Sequence, residues 1–592
     1  MWKAPIENVL FLLNTVFGIA ERKDIPGFED WTPETASFML SGIARFAEDV
    51  LAPLNQTGDA EGCTLHPEGG VSTPVGFRSA WQAFVAGGWN SVAAPVWAGG
   101  HGIPAVLSTP IAEFINSANQ GFAMYTGFGG YVAPLFESYG TEQQKEVYLS
   151  RVVSGEWGAT MALTEPHCGT DLGMIRTRAK EQTDGSYRIT GNKIFISGGE
   201  HDLTDNIVHL VLAWIPGSPS GTRGLSLFLV PKFIPRADGS PGVRNGVTCS
   251  SVEHKMGLRA SATCAMNFDD ARGWIIGKPD EGMAVMFLLM NNARRATGVV
   301  AVGAAEAACQ LASAYAKERL QSRAPSGPKQ PAQPADALSH QPDVRRMLMK
   351  MQAVTEASRA FLLWAALLDD LQHLSPNESE RSMATVQLNI ITPVVKAVVS
   401  DLAFETAITA QQIFGGHGYI VETGIEQYPR DIRILMLAEG ANGIQAMDLV
   451  LRKLGLNSGA AIRDLVHQVN LESLNLPGAL SNARQQFDRS IRDVYAAIDL
   501  LTPLRINDPD RAAAASYDFM RMLGLLLLGY MWVRITNAVV REIDSVDDAS
   551  PFLRKKLALA EYFIRSEMPE TGALLERIRA AETVLAAEVA WL

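Results

Sequence analysis

Met161-Ala162-Leu163-Thr164-Glu165-Pro166-His167-Cys168-Gly169-Thr170-Asp171-Leu172-Gly173 marks where this chain changes texture. Upstream, from about Trp31 to Trp157, the pattern is mostly helical, broken by turns such as Ala98-Gly99-Gly100-His101-Gly102. From 158 to 276, short apolar runs take over: Tyr187-Arg188-Ile189-Thr190, Ile207 to Leu212, and Leu225 to Val230. Asp184-Gly185, Pro216-Gly217 and Asp238-Gly239 separate them. Runs of that length bounded by turn formers read as strands. An all-β module is therefore set between helical regions.

Working outward, 592 residues are too many for one compact core and predict several domains. The divisions fall at 1–157 (an N-terminal extension and helical domain), 158–276 (the β-module), 277–457 (helical) and 458–592 (helical). Gln321 to Pro342 carries five prolines and reads as a surface loop between two long helices. In the last region Leu480, Ala483, Phe487, Ile491, Val494, Ile498 and Leu501 alternate in three-four spacing, which makes one apolar stripe on a helix.

Composition excludes several classes. Hydrophobic content of 47% and charged content of 19% belong to an ordinary globular protein. A net charge of -12 argues against a nucleic-acid surface, and residues 460–592 hold 15 Lys+Arg against 18 Asp+Glu, so the last region is no basic arm. Cysteines at 63, 168, 249, 264 and 309 form no C-x-x-C pair, which predicts neither a disulfide framework nor a metal site, and a reducing, cytoplasmic setting. Leu10-Phe11-Leu12-Leu13 is too interrupted, by Glu7, Asn8 and Asn14, to read as a signal peptide. The longest apolar stretch, Met522 to Val533, is twelve residues and is read as too short for a transmembrane segment.

One carboxylate stands out. In Leu437-Ala438-Glu439-Gly440-Ala441-Asn442-Gly443-Ile444-Gln445, Glu439 is the lone charge, with an apolar run before it broken only by Arg433. A desolvated carboxylate has a raised pKa and is a better proton acceptor at neutral pH. Alone, the same pattern also fits a helix cap or a solvated surface group.

The company of Glu439 decides between these readings. Beside the opening stretch stand Gly191-Asn192-Lys193-Ile194-Phe195-Ile196-Ser197-Gly198-Gly199, Glu253-His254-Lys255-Met256-Gly257-Leu258-Arg259-Ala260-Ser261, and Gln411-Gln412-Ile413-Phe414-Gly415-Gly416-His417-Gly418-Tyr419. In order and spacing these resemble the flavin-dependent acyl-CoA dehydrogenases over roughly residues 75 to 455. The additional C-terminal domain, the opening Met1-Trp2-Lys3-Ala4-Pro5 and Gly199-Glu200-His201-Asp202-Leu203-Thr204 resemble the large subgroup that includes 3-(methylthio)propanoyl-CoA dehydrogenases and long-form bacterial fatty acyl-CoA dehydrogenases.

The resemblance implies an α+β multidomain fold: an N-terminal helical domain, a middle β-barrel or sandwich, a four-helix-bundle domain and the extra helical domain. It implies FAD as cofactor, since no side chain accepts a hydride. Met161, Leu163, Thr164, Phe195 and Ser197 would meet the isoalloxazine, and Gly169 and Thr170 the diphosphate or CoA. Arg319, Gln412, Gly415 and Gly416 would reach the adenine end of a neighbouring subunit's FAD, implying at least a homodimer. Arg294 would meet the CoA moiety. Glu439 would be the base, with its backbone N–H and the adjoining Gly440 at the thioester, and electron-transfer flavoprotein would reoxidise the flavin. No G-x-G-x-x-G element is present for Rossmann-style binding.

Departures from the common pattern are Ala438 for a frequent Tyr, Ala441 for Thr, Gly443 for Gln, and Ser322 where Phe or Gly is commoner. Ala438 leaves room near the thioester, which favours medium- to long-chain fatty acyl-CoA substrates of β-oxidation. The alternatives are 3-(methylthio)propanoyl-CoA, an oxidase that shares the base, and a nucleic-acid-associated flavoprotein, which the acidic C-terminal region counts against.

Overall fold

The computed structural model describes residues 2–476, 478–543, 550–586 and 588, so Met1 of the opening motif lies outside the described residues. The chain divides into two compact units: Met1–Ser41 with Arg294–Leu592, and Gly42–Ala293.

In the second of these, helices precede the sheet. Phe77–Ala86 buries Phe77, Ala80, Trp81 and Phe84, the i, i+3, i+4, i+7 face of an amphipathic helix. Phe77 and Phe84 meet Phe122 edge-on at centroid distances of 5.6 and 6.0 Å. A large sheet follows, made of β1 (Trp157–Ala162), β2 (Arg178–Glu181), β3 (Tyr187–Ser197), β4 (Asn206–Trp214), β5 (Leu225–Pro231), β6 (Val247–Val252) and β7 (Thr263–Ile276). The order runs β6-β7-β3-β2-β4-β1, and β5 pairs with both β7 and β4. The ring β7-β3-β2-β4-β5 thus closes on itself, which hides the edges of its strands. β4 and β5 are buried almost throughout and are nearly continuous apolar runs, as strands covered on both faces must be. β1 remains at an edge, paired only with β4 in parallel register.

The first unit is helical: α1 (Gly282–Glu318, continuing out of the second unit), α2 (Pro342–Leu374), α3 (Glu378–Phe414), α4 (Ser481–Asn507), α5 (Ser516–Ile543) and α6 (Pro551–Tyr562). α4 buries the stripe predicted from the sequence. α5 packs against α2 and α3 so closely that a Cβ on Gly524 would lie 2.6 Å from Val398. The Trp532 indole N–H donates to the Ala353 carbonyl at 3.2 Å. The N-terminal segment also belongs here: Phe11 meets Phe552 at 5.5 Å, and the Asn8 amide bonds both Glu356 and Arg359 at 3.2 Å. Glu356 is in turn paired with Lys556, a buried cation of α6.

One sequence expectation is corrected. Met522 to Val533 is not a twelve-residue element but the middle of the 28-residue α5. By length and composition α5, α1 and the helical stretch Glu378–Tyr419 could each cross a bilayer. Their most apolar windows are 83%, 61% and 72% buried inside the protein, respectively. Helices apolar on all sides are what the core of a large helical unit requires.

Candidate active site

Glu439 sits in a turn, not in a helix. Its φ is 57° and that of Gly440 is 84°, two consecutive left-handed residues. Such a backbone is strained for a residue with a Cβ and persists only where the surroundings hold it. The short helix Asn442–Met447 follows, with Ala441 at its N-cap and no side-chain cap. This is the physical consequence of alanine at that position: a threonine hydroxyl could have capped the helix.

Around the turn the structure gathers charge from two long helices. Glu439 is half-buried. Desolvation pushes its carboxyl above the ordinary value, against the opposing pull of Arg294 on α1 and Lys396 on α3. Lys396 is fully buried, and its ammonium donates to the Gly440 carbonyl at 2.8 Å and to Asn442 Oδ1 at 2.7 Å. Burial lowers Lys396 to about 8, while Glu439 and Asp401 favour its charge. Arg294, expected at the CoA moiety, lies within electrostatic reach of Glu439 and Asp448. No acceptor among the described residues takes the Glu439 backbone N–H. A weak base beside an open N–H donor can abstract a proton next to a carbonyl and steady the resulting oxyanion.

In the β-unit, the predicted residues come together at one place. Phe195 and Ser197 project from the same face of β3, and both are exposed while Ile196 between them is buried. Phe195 is 60% exposed and has a φ of 59°. The Ile194 N–H donates to the Thr164 carbonyl at 2.9 Å, which sets Leu163 and Thr164 alongside. Met161 lies at the end of edge strand β1. A tight turn with paired backbone bonds between Glu165 and Cys168 returns the chain so that Gly169 approaches the Thr164 methyl, with Thr170 exposed next to it.

Glu165 and Lys193, which sequence reasoning did not single out, hold this assembly. Glu165 Oε1 accepts from Lys193 Nζ at 3.0 Å and from Thr177, and Lys193 also donates to the Leu163 carbonyl at 2.9 Å. Glu165, His167 and Cys168 place ligand atoms within 4.8 Å of one another, but Glu165 already serves Lys193, Thr177 and Arg176.

The remaining expected residues meet at the far end of α1 and α3. Tyr315, one turn before Arg319, stacks on Phe414 at 4.1 Å and hydrogen-bonds His417 at 3.0 Å. Arg319, Gln412, Gly415 and Gly416 are all exposed there, and a Cβ on either glycine would touch nothing. The contact between Tyr315 and Phe414 was legible only as two aromatics far apart in sequence.

Lys396, Asn442 and Asp401 are the site residues the sequence reading missed. The available signal was a single lysine inside the apolar run Ile390 to Val399.

Comparison with known proteins shows the family. The chain is 37% identical to the 3-methylmercaptopropionyl-CoA dehydrogenase of Ruegeria pomeroyi, with 98% of both chains covered. It belongs to the acyl-CoA dehydrogenase family. Family models for the N-terminal, middle and C-terminal acyl-CoA dehydrogenase domains match residues 33–156, 160–271 and 280–454. An "acetyl-CoA dehydrogenase C-terminal like" model matches 460–588. A second relative, the broad-specificity linear acyl-CoA dehydrogenase FadE5 of Mycobacterium tuberculosis, is 33% identical over 96% of each chain. In fold the chain is similar to the acyl-CoA dehydrogenase of Bacillus anthracis complexed with FAD: TM-score 0.75, 21% identity, 94% of this chain and 90% of that one covered. As the sequence resemblance implied, the chain is an oxidoreductase of this family with an extra C-terminal helical region.

A flavin needs a flat apolar contact and a row of hydrogen-bonding groups for its polar edge. The exposed ring of Phe195, the neighbouring Ser197 hydroxyl and edge strand β1, which among the described residues pairs with β4 alone, supply both within the β-unit. The residues present fit the group.

Proposed function

We propose that this acyl-CoA dehydrogenase uses FAD to convert a linear acyl-CoA thioester to its trans-2-enoyl product, with medium- to long-chain fatty acyl-CoA as the leading substrate. The observation that carries the reading is Glu439: a desolvated carboxylate on a held left-handed turn, beside its own unclaimed N–H.

Bound FAD supplies the hydride acceptor that no side chain can be. The protein's share is the proton. The Glu439 N–H donates to the thioester oxygen and so acidifies the Cα–H, and the Glu439 carboxylate takes that proton. Arg294 and Lys396 favour the ionised carboxyl and oppose the rise that burial causes. Ala438 adds only a methyl next to the base, which supports room for an extended chain. Met161, Leu163, Thr164, Phe195 and Ser197 would hold the ring, with Gly169 and Thr170 at the diphosphate or the CoA. The exposed cluster of Arg319, Gln412, Gly415 and Gly416 supports a dimer in which it reaches the partner's cofactor, and electron-transfer flavoprotein is the proposed acceptor.

A second substrate reading, 3-(methylthio)propanoyl-CoA, is favoured by the 37% identity to the Ruegeria enzyme. One panel separates them: acyl-CoAs of four to eighteen carbons and the methylthio thioester, assayed by reduction of an artificial electron acceptor. Highest kcat/KM on the longer straight chains is the expected result, and highest on the methylthio substrate selects the second reading. No turnover of any thioester by flavin-loaded protein overturns both. Glu439→Gln should keep bound flavin and lose turnover.

A further inference from the structure

The turn that carries Glu439 is tied to the extra C-terminal domain by a chain of polar groups that is buried up to its last member, the exposed Tyr517. Lys396 donates to the Gly440 carbonyl and to Asn442 Oδ1. The Asn442 amide donates to Asp401 Oδ1 at 2.7 Å and to the Ser400 hydroxyl at 3.1 Å. The second Asp401 oxygen accepts from the Tyr517 hydroxyl. Tyr517 opens α5, beyond residue 460, and its separation from Asp401 along the chain is 116 residues. One turn later Arg521 pins the same helix to Glu405 and Glu570 at 2.8 Å each.

These groups are not packing residues that chance to be polar. Lys396, Asn442 and Asp401 are nearly inaccessible. In a low-dielectric interior such a network either satisfies every member or is costly, and when satisfied it fixes one geometry. What it fixes is the carbonyl one residue after the proposed base. A side chain at 440 has no room: a Cβ there would lie 2.6 Å from the Gln445 amide nitrogen.

We propose that Lys396 and Tyr517 are positioning residues for Glu439, so that the C-terminal domain, through the chain Tyr517–Asp401–Asn442–Lys396–Gly440, sets the geometry of proton abstraction. This rests on the reading of Glu439 as the base. The charged and titratable groups facing the network are all in view: Glu439, Arg294 and Asp401 about Lys396, and Tyr517, Arg521 and Glu405 about Asp401. Burial raises Asp401, while Tyr517, Asn442 and Arg521 hold it down.

The test uses the full-length, flavin-loaded protein. Tyr517→Phe removes only a hydroxyl and leaves the ring of this 39%-exposed residue in place. It should lower kcat about threefold to tenfold with KM changed less than about twofold, since a misplaced base slows chemistry without altering binding. Asn442→Ala should lower kcat by about tenfold or more. In the double variant the chain is already broken, so kcat should match Asn442→Ala alone within about twofold. Lys396→Met should also move the acid limb of the kcat–pH profile upward, because a cation that favours ionised Glu439 is gone. Wild-type kcat in Tyr517→Phe, or losses that multiply in the double variant, overturns the proposal. Glu439→Gln separates the two failures: if that variant keeps turning over, the base assignment has failed, and the network variants are then read as structural only.

Discussion

Glu165 and Lys193 form an ion pair at 3.0 Å with both side chains almost wholly buried, and it joins the turn after β1 to the middle of β3. Burial opposes the charge on Glu165, but Lys193, the Thr177 hydroxyl and the Arg176 N–H more than offset it and hold the carboxyl below its ordinary value. The pair thus sets where Leu163, Thr164 and Phe195 stand relative to one another.

Lys193→Met leaves the Glu165 carboxylate buried without its cation, and breaking such a pair from one side costs about 3–5 kcal/mol. Urea denaturation followed by circular dichroism should show a lower midpoint with an unchanged slope, and flavin should be lost on gel filtration. Because the folded-state value of Glu165 is lowered, the stability it contributes is present at neutral pH and lost as pH falls through that lowered value. The variant should therefore show a weaker dependence on pH in the acid range than the parent.

Glu439 carries the opposite sign. Its carboxyl is raised by desolvation, so the group loses its proton at higher pH than an ordinary glutamate. Activity requires the ionised form, so kcat should climb with pH along a limb set above the usual glutamate range. Arg294→Gln removes one of the two cations that favour ionisation and should shift that limb further up. An unmoved limb with a raised KM for acyl-CoA would instead assign Arg294 to CoA alone.

Gly440→Ala forces a side chain onto a backbone at φ 84° and into the Gln445 amide. The left-handed conformation costs roughly 1–2 kcal/mol for a residue with a Cβ, and displacing the base by about 1 Å costs about 10²-fold in rate. Steady-state assays should show that loss in kcat, with the melting temperature reduced only slightly.

Asp336 organises the proline-rich loop between α1 and α2. It accepts from the N–H groups of Ala324, Lys329 and Gln330 at 2.7–2.9 Å and from Arg323 at 3.2 Å. Burial works against its charge, yet these donors draw the carboxyl down to about 2. Its contribution is present above the ordinary aspartate value and disappears as pH falls from about 4 to about 2. Asp336→Ala should open the loop at neutral pH. Limited trypsin digestion should then cut after Arg323 and Lys329 in the variant while sparing the parent.

Much of the β-unit could be read directly. The runs Tyr187 to Thr190, Ile207 to Leu212 and Leu225 to Val230, set apart by turn formers, lie in β3, β4 and β5, whereas the bulge that gives Phe195 its positive φ breaks the two-residue period of β3. The lone charge at Glu439 was also visible. Its backbone was not, because a left-handed glutamate has no local signature: glycine at 440 explains one residue of the turn, and only the bonds to Lys396 and Gln445 explain why the other is held. α5 is longer than its apolar run because the charged residues that flank the run, Arg521 and Arg534, continue the helix. In the structure they are interior positions, where Arg521 pairs with Glu405 and Glu570 and Arg534 lies over the Phe17 and Tyr530 rings.

The sequence by itself determined the order of helical and strand regions, the acyl-CoA dehydrogenase motifs and the identity of the candidate base, since each depends on residues near one another along the chain. Only the tertiary structure decided what surrounds that base. Lys396, Asn442, Asp401 and Tyr517 come from three separate elements, and the N-terminal segment joins the unit that carries them rather than the helices that follow it. A buried polar group must find its partner wherever folding brings one. That choice is made by long-range packing, which leaves no periodic trace in the chain.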